Sequence, residues 1–315
     1  MRRVAFNILE IENAAVLCVP TVFDGAQQNI SCFFHQIAVV VAFGQIHHEP
    51  HGFVGVSRIH CSALETFQNI KDRSANPKGI YNKLYPGTRP MKSFSLPMIM
   101  CNLSLILEEI TGKNAIDKIV KPLITEVMEV FYQKDTGLIL ESVAPDGSFC
   151  DCFEGRTVNP GHTNEAMWFM MDLAERYNDR ELMKKSIDIL LRSIDYGWDT
   201  QYGGIFYFMD IKGYPPQQLE WDQKLWWVHI ETLIALLKGY RLTGDIRCKD
   251  WFLKIQDYTW EHFRDNEFPE WYGYLTRQGT PLLTLKGGKW KGCFHVPRGL
   301  FQIWKIFNDV ENHNL

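Results

Sequence analysis

The sequence predicts an all-α chain folded as an α/α toroid, on three observations. Long amphipathic segments recur from about residue 95 onward, short turns join neighbouring segments, and longer glycine-rich links carry β-hairpin chemistry. The segments are Leu96–Thr111, Ala115–Tyr132, Asn159–Tyr177, Arg180–Tyr196, Gln218–Leu242, Ile246–Arg264 and His295–Phe307, seven helices in all. Thr111-Gly112, Asn178-Asp179 and Thr243-Gly244-Asp245 stop one helix and restart the next. Such short turns make antiparallel helix hairpins. Between hairpins, Tyr202 to Phe208 and Tyr272 to Leu275, the latter running through Gln278-Gly279 to Leu282–Leu285, read as β-hairpins.

Residues 1 to 70 have a different character, mixing short apolar runs with His47, His48, His51 and His60, with neither helical period nor strand alternation. They are left as an unassigned leader, and residues 71–315 carry the toroid.

Composition narrows the function. A hydrophobic fraction of 46% with 22% charged residues describes a well-buried globular chain, and 315 residues suffice for one large domain. The net charge of −4 shows no basic excess, so neither nucleic acid nor an anionic membrane is an expected partner. A small ligand is expected instead. Eight scattered cysteines in so long a chain predict a reducing compartment, the cytoplasm. Cys150 and Cys152 form a Cys-x-Cys pair without the second pair that a zinc ribbon needs, so no metal is expected. The longest early apolar run, Ile37 to Phe43, is too short to span a bilayer, and no clean signal-peptide pattern follows Arg2-Arg3.

Chemistry concentrates in three segments. Asn159 or Thr163 can cap a helix whose first turn carries His162 and Glu165, three apart and on one face. Glu165 would fix the tautomer of His162 and raise its basicity, as a general base near neutral pH requires; a capping histidine is the plainer reading. In the second segment Lys224, Trp227 and Glu231 fall at i, i+3 and i+7 of a predicted helix, an aromatic platform between two charges that suits a sugar. A core tryptophan beside a solvated ion pair explains the same pattern. The third runs from Lys286 to Arg298, where His295 and Arg298 share the first turn of a helix opened by Pro297. Arg298 either steadies a developing enolate oxygen or pairs with an acid on a neighbouring helix. Two histidines 133 residues apart, each heading a helix, suit two-base proton chemistry.

These segments resemble the N-acylglucosamine 2-epimerase family, once called renin-binding proteins. The blocks are Asn76-Pro77-Lys78-Gly79, Pro86-Gly87-Thr88-Arg89-Pro90, Leu96 to Leu103, Asn159-Pro160-Gly161-His162, Leu219-Glu220-Trp221 with Lys224-Leu225-Trp226-Trp227, and Phe294-His295-Val296-Pro297-Arg298. The resemblance implies an (α/α)6 barrel of twelve helices, of which seven are visible here, with the family's amino-terminal half missing. It implies an isomerase interconverting N-acetylglucosamine and N-acetylmannosamine. It maps the catalytic residues onto His162, His295 and Glu231, with Glu165, Lys224, Trp227 and Arg298 as substrate-binding candidates. The implied chemistry needs no cofactor, takes ATP as an allosteric activator, and comes from a homodimer. Two rivals stand beside it: a shortened, non-catalytic sugar- or protein-binding remnant, and a glycoside hydrolase using carboxylates drawn from Asp199, Asp222, Glu231 and Glu270.

Overall fold

The computed structural model describes residues 54–75, 90–268, 270–292 and 294–312. Residues 1–53, the Asn76–Gly79 block, Pro86 to Arg89 and Cys293 lie outside them.

All seven expected helices are present: α2 (Ser95–Thr111), α3 (Lys113–Thr125), α5 (Pro160–Tyr177), α6 (Arg180–Gly197), α7 (Trp226–Thr243), α8 (Ile246–His262) and α9 (His295–Asn312). Two more were not foreseen. The short α4 spans Phe153–Arg156, and α1 spans Val54–Ala75, crossing position 70. Ala63, Phe67 and Ile70 on α1 are buried at i, i+4 and i+7, an apolar stripe diluted in the sequence by exposed polar residues around it.

The hairpin turns form as their residue types dictate. Asn178 and Gly244 end α5 and α7 with φ of 53° and 70°, and Asp179 and Asp245 then cap α6 and α8 by accepting hydrogen bonds from Leu182 and Arg247. The second expected helix, 115 to 132, is not one α-helix: Pro122 lies inside α3, and the chain widens into a π-helical turn over Glu126–Val130.

Helices α2, α5, α7 and α9 pack side by side as an inner layer, each of the first three backed by its hairpin partner α3, α6 or α8. Inner and outer helices differ as this position requires. On α7 the first fourteen residues, Trp226 to Gly239, are all buried, whereas α6 buries one stripe through Leu182, Ile187, Leu190 and Ile194. This layering is that of an (α/α)6 barrel. No helix among the described residues is long and apolar enough to cross a membrane.

Four two-residue strand pairs gather at the amino-terminal ends of the inner helices. They are β1 (Lys92–Ser93) with β4 (Ser142–Val143), β2 (Tyr132–Gln133) with β3 (Leu138–Ile139), β5 (Thr157–Val158) with β6 (Met209–Asp210), and β7 (Lys224–Leu225) with β8 (Tyr274–Leu275), all antiparallel. Two expectations are corrected here. The helix read from Gln218 starts at Trp226, because Lys224 and Leu225 pair with β8. The other is the 202–208 hairpin, in place of which Ile205 forms one bridge back to Trp198. The expected hairpin after Tyr272 does form in short, with Leu275 bridging Pro281 around a Thr276–Thr280 turn and the Leu282 amide donating to the Tyr274 carbonyl at 2.8 Å, while Tyr274 and Leu275 also pair with β7.

His229, wholly buried on α7, holds this scaffold. Its Nδ1 meets the Leu225 carbonyl at 2.8 Å, its Nε2 accepts from the Ile205 amide at 3.1 Å, and its ring stacks on Tyr258. Burial pulls its pKa from 6.5 down to about 3, so the folded chain declines a proton that the unfolded chain accepts below 6.5. Stability contributed by the neutral ring is therefore lost as pH falls from 6.5 toward 3, at up to about 1.4 kcal/mol per pH unit. Urea unfolding of parent and His229→Gln between pH 7 and 4.5 should show a flatter acid slope in the variant; equal slopes would exclude the assignment.

Candidate functional site

The amino-terminal ends of α5, α7 and α9 converge, and each brings two predicted residues. Asn159 caps α5 by accepting from the His162 amide at 3.1 Å, and Pro160 occupies the first helical turn, where its missing donor costs nothing. His162 therefore sits at a rigid helix start.

Glycines let these helices close. A Cβ on Gly161 would lie 2.7 Å from the Trp227 ring and from Val228, and one on Gly299 would lie 2.3 Å from Ile230. Both glycines adjoin the site, so close helix approach and site geometry are one feature. Gly161→Ala should cost about 1 to 3 kcal/mol by overpacking and push α5 off Trp227; chemical unfolding with an unchanged midpoint would count against it.

Trp227 neighbours both histidines. Its ring centroid is 5.1 Å from that of His162 and 5.6 Å from that of His295, tilted 38° and 34°. Each imidazole is anchored through Nδ1 on a carboxylate: His162 on Glu141 at 2.9 Å, His295 on Glu231 at 2.7 Å. An Nδ1 proton shared with a carboxylate leaves Nε2 as the atom that exchanges protons.

Glu231 is the hub. Fully buried on α7, it accepts from Trp168 Nε1 at 2.9 Å, from His295 Nδ1, and from Arg298 Nη2 at 2.5 Å. Burial opposes its ionised form, yet Arg298 and His295 outweigh burial and hold its pKa below the carboxylate range. Glu165 shares the same guanidinium at 3.0 Å, but burial and the adjacent Glu231 charge raise its pKa. For His162 burial disfavours the charged ring, and the Glu141 carboxylate overrides this and raises its pKa above 6.5.

The structure thus brings together His162, Glu165, Trp227, Glu231, His295 and Arg298, corrects two expectations and selects between the two readings of Arg298. Glu165 does not hold His162. It faces Arg298, while Glu141, on the link between β3 and β4, takes the role, fixed by its own amide donating to the Thr157 carbonyl at 2.9 Å. Lys224 does not share a face with Trp227. It lies in β7, buried, with its ammonium 3.1 Å from Asp199 and over the Phe206 ring, and burial lowers its pKa to about 8. Arg298 takes the ion-pair alternative, between Glu165 and Glu231.

Glu141 was missed because a lone acid after the apolar run Leu138-Ile139-Leu140 carries no local signature. The donor atoms of Glu165, Glu231 and His295 lie within 4.8 Å of one another, a spacing open to a cation. Arg298 already bonds both carboxylates and supplies positive charge there. Two of the four carboxylates proposed for hydrolysis are engaged elsewhere: Asp199 binds Lys224 and Arg277, and Glu270 binds Lys291 at 2.9 Å.

Comparison with known proteins agrees with this architecture. The profile of the N-acylglucosamine 2-epimerase (GlcNAc 2-epimerase) family matches residues 35–296. The chain is 42% identical to N-acylglucosamine 2-epimerase of Rattus norvegicus over 232 residues, covering 71% of this chain and 54% of that one. Against the Bos taurus protein of the same name, identity is 40% over 264 residues, covering 81% and 61%. The chain therefore spans between half and two thirds of the length of these relatives. Among solved structures, cellobiose 2-epimerase from Bacillus thermoamylovorans superposes with a TM-score of 0.72 at 16% identity, covering 89% of this chain and 72% of that one. D-mannose isomerase gives 0.69 at 17% identity, covering 88% and 72%.

Proposed function

Because the chain belongs to the N-acylglucosamine 2-epimerase family, we propose that it is a carbohydrate isomerase that inverts C2 of an amino sugar, interconverting N-acetylglucosamine and N-acetylmannosamine. The observation that carries this reading is the pair of imidazoles beside Trp227, each with Nδ1 on its own carboxylate.

In the open-chain sugar the C2 proton is acidified by the adjacent carbonyl. One histidine removes it through Nε2, leaving a planar enolate, and the other delivers a proton to the opposite face. A single base returning its own proton would restore the starting epimer, so inversion calls for two. One proton leaves C2 and another arrives, and no electrons change hands. Trp227, buried beside both rings, fixes their positions relative to each other. Glu141 and Glu231 fix the tautomers and offset the charge as each ring takes up its proton. Glu165 and Arg298 act one step back, holding Glu231 in place.

The test is proton NMR of the purified chain with N-acetylmannosamine in deuterium oxide, with and without ATP. Loss of the C2 proton signal and growth of N-acetylglucosamine resonances are expected, and a faster rate with ATP would support activation by nucleotide. A folded sample that exchanges no C2 proton in N-acetylmannosamine, N-acetylglucosamine, mannose or cellobiose would overturn the reading in favour of a non-catalytic sugar-binding chain.

A further inference from the structure

Cys150 and Cys152 stand outside the chemistry described above, yet the chain holds them as a pair. The Cys152 amide donates to the Cys150 carbonyl at 2.8 Å, a three-residue turn about Asp151 that folds both side chains to one side. Their sulfurs lie 3.6 Å apart, and both residues are partly exposed. The turn is clamped from two directions. Cys152 Sγ caps α4 by accepting from the Gly155 amide at 3.4 Å, and Gly155 packs so closely that a Cβ there would sit 2.0 Å from the Cys150 carbonyl oxygen. Arg156 ties the far side, bonding Asp151 and Asp210, each at 2.9 Å.

We propose that Cys150 and Cys152 form a redox-active dithiol, a modification site that a peroxide closes into a disulfide within the turn and a small thiol reopens. Closing the present gap to a bond of about 2.05 Å asks each sulfur to move only about 0.8 Å. The thiolate of Cys150 attacks one peroxide oxygen, the O–O bond breaks, and the departing hydroxide takes up a proton and leaves as water. The sulfur of Cys152 then displaces hydroxide from the Cys150 sulfenic acid, its own proton being lost, and a second water forms. Two electrons pass from the sulfurs to peroxide. The order follows from the surroundings of Cys152, whose thiol pKa is raised by burial and by the neighbouring Cys150 and Glu154, so that it resolves rather than initiates. Closure pulls the Cys152 sulfur from the Gly155 amide, uncapping α4 just before β5, the strand that leads to Asn159 and His162.

The sequence supplies a clean readout. Trypsin releases residues 135–156 as one peptide holding Cys150 and Cys152 and no other cysteine. After brief exposure of the native chain to hydrogen peroxide and alkylation with N-ethylmaleimide, this peptide should be unlabelled and lighter by two hydrogens. Dithiothreitol should restore two labels. In Cys150→Ser no peptide lighter by two hydrogens should form, and Gly155→Ala, which spoils the clamp but keeps both thiols, should close more slowly by on the order of tenfold or more. Full labelling of the parent peptide at peroxide doses that oxidise the exposed Cys61, a disulfide to a different cysteine, or closure of Gly155→Ala at the parent rate would each overturn the proposal.

Discussion

Alanine at His162 or at His295 should stop interconversion of the two epimers by at least a factor of about 10² to 10⁴, the usual worth of a placed general acid or base. The sharper expectation concerns what survives. If each ring serves one face of C2, a chain lacking one histidine still has the base for one epimer. Each single variant should wash solvent deuterium into C2 of one sugar and not the other, without forming product, and the two variants should spare opposite epimers. The double variant should exchange neither. A structural lesion cannot produce such mirror-image retention. Full turnover in either single variant, or loss of exchange with both sugars in both, would refute the two-base assignment. Both rings are partly accessible, with side-chain exposures of 26% and 16%, so truncation leaves a space that water can fill.

Glu231→Gln should be the most damaging isosteric change in the chain. Three donors converge on a carboxylate that has no solvent contact, and glutamine brings an amide nitrogen that must face at least one of them. With the charge gone, Arg298 keeps only Glu165, and His295 loses the anion that holds its tautomer. Breaking a buried pair from one side costs about 3 to 5 kcal/mol; the remaining Arg298–Glu165 contact favours the lower end. C2 exchange should fall by a further 10² or so beyond the loss of folded protein, as expected when a general base loses its orienting acid. The two effects separate by measuring urea unfolding and exchange on the same sample. A folded Glu231→Gln chain that exchanges near the parent rate would show that Glu231 serves the scaffold alone. Glu165→Gln offers the contrast: because that carboxyl's pKa is already raised by burial, neutralising it should cost less of both.

Much of this was legible in the chain, and the failures have physical reasons. Capping residues speak locally, so Asn159, Asp179 and Asp245 announced their helices, and Asn178 and Gly244 their ends. His162 and His295 were legible for the same reason, since each lies at a helix start. Partnerships between distant residues were not. Helical spacing put Glu165 on the His162 face, but a residue three positions on also faces the neighbouring helices, and Arg298, 133 residues away, captured it. Lys224 failed differently: its i+3 relation to Trp227 holds only inside a helix, and pairing with Tyr274 and Leu275 drew it into a strand. Glu141 could not be assigned at all, because its significance depends on the β3–β4 link being folded over α5.

The two ends of the inner helices have separate duties. The candidate site residues cluster at the starts of α5, α7 and α9, among the strand pairs, while the hairpin turns at Asn178-Asp179 and Thr243-Gly244-Asp245 lie at the other end of helices about 27 Å long. An engineer can therefore treat the molecule as polarised. Affinity tags, fluorophores or whole inserted domains belong at those distal turns, where the added chain meets solvent and capping side chains only, whereas substrate range is to be redesigned through the strand-bearing links at the opposite pole.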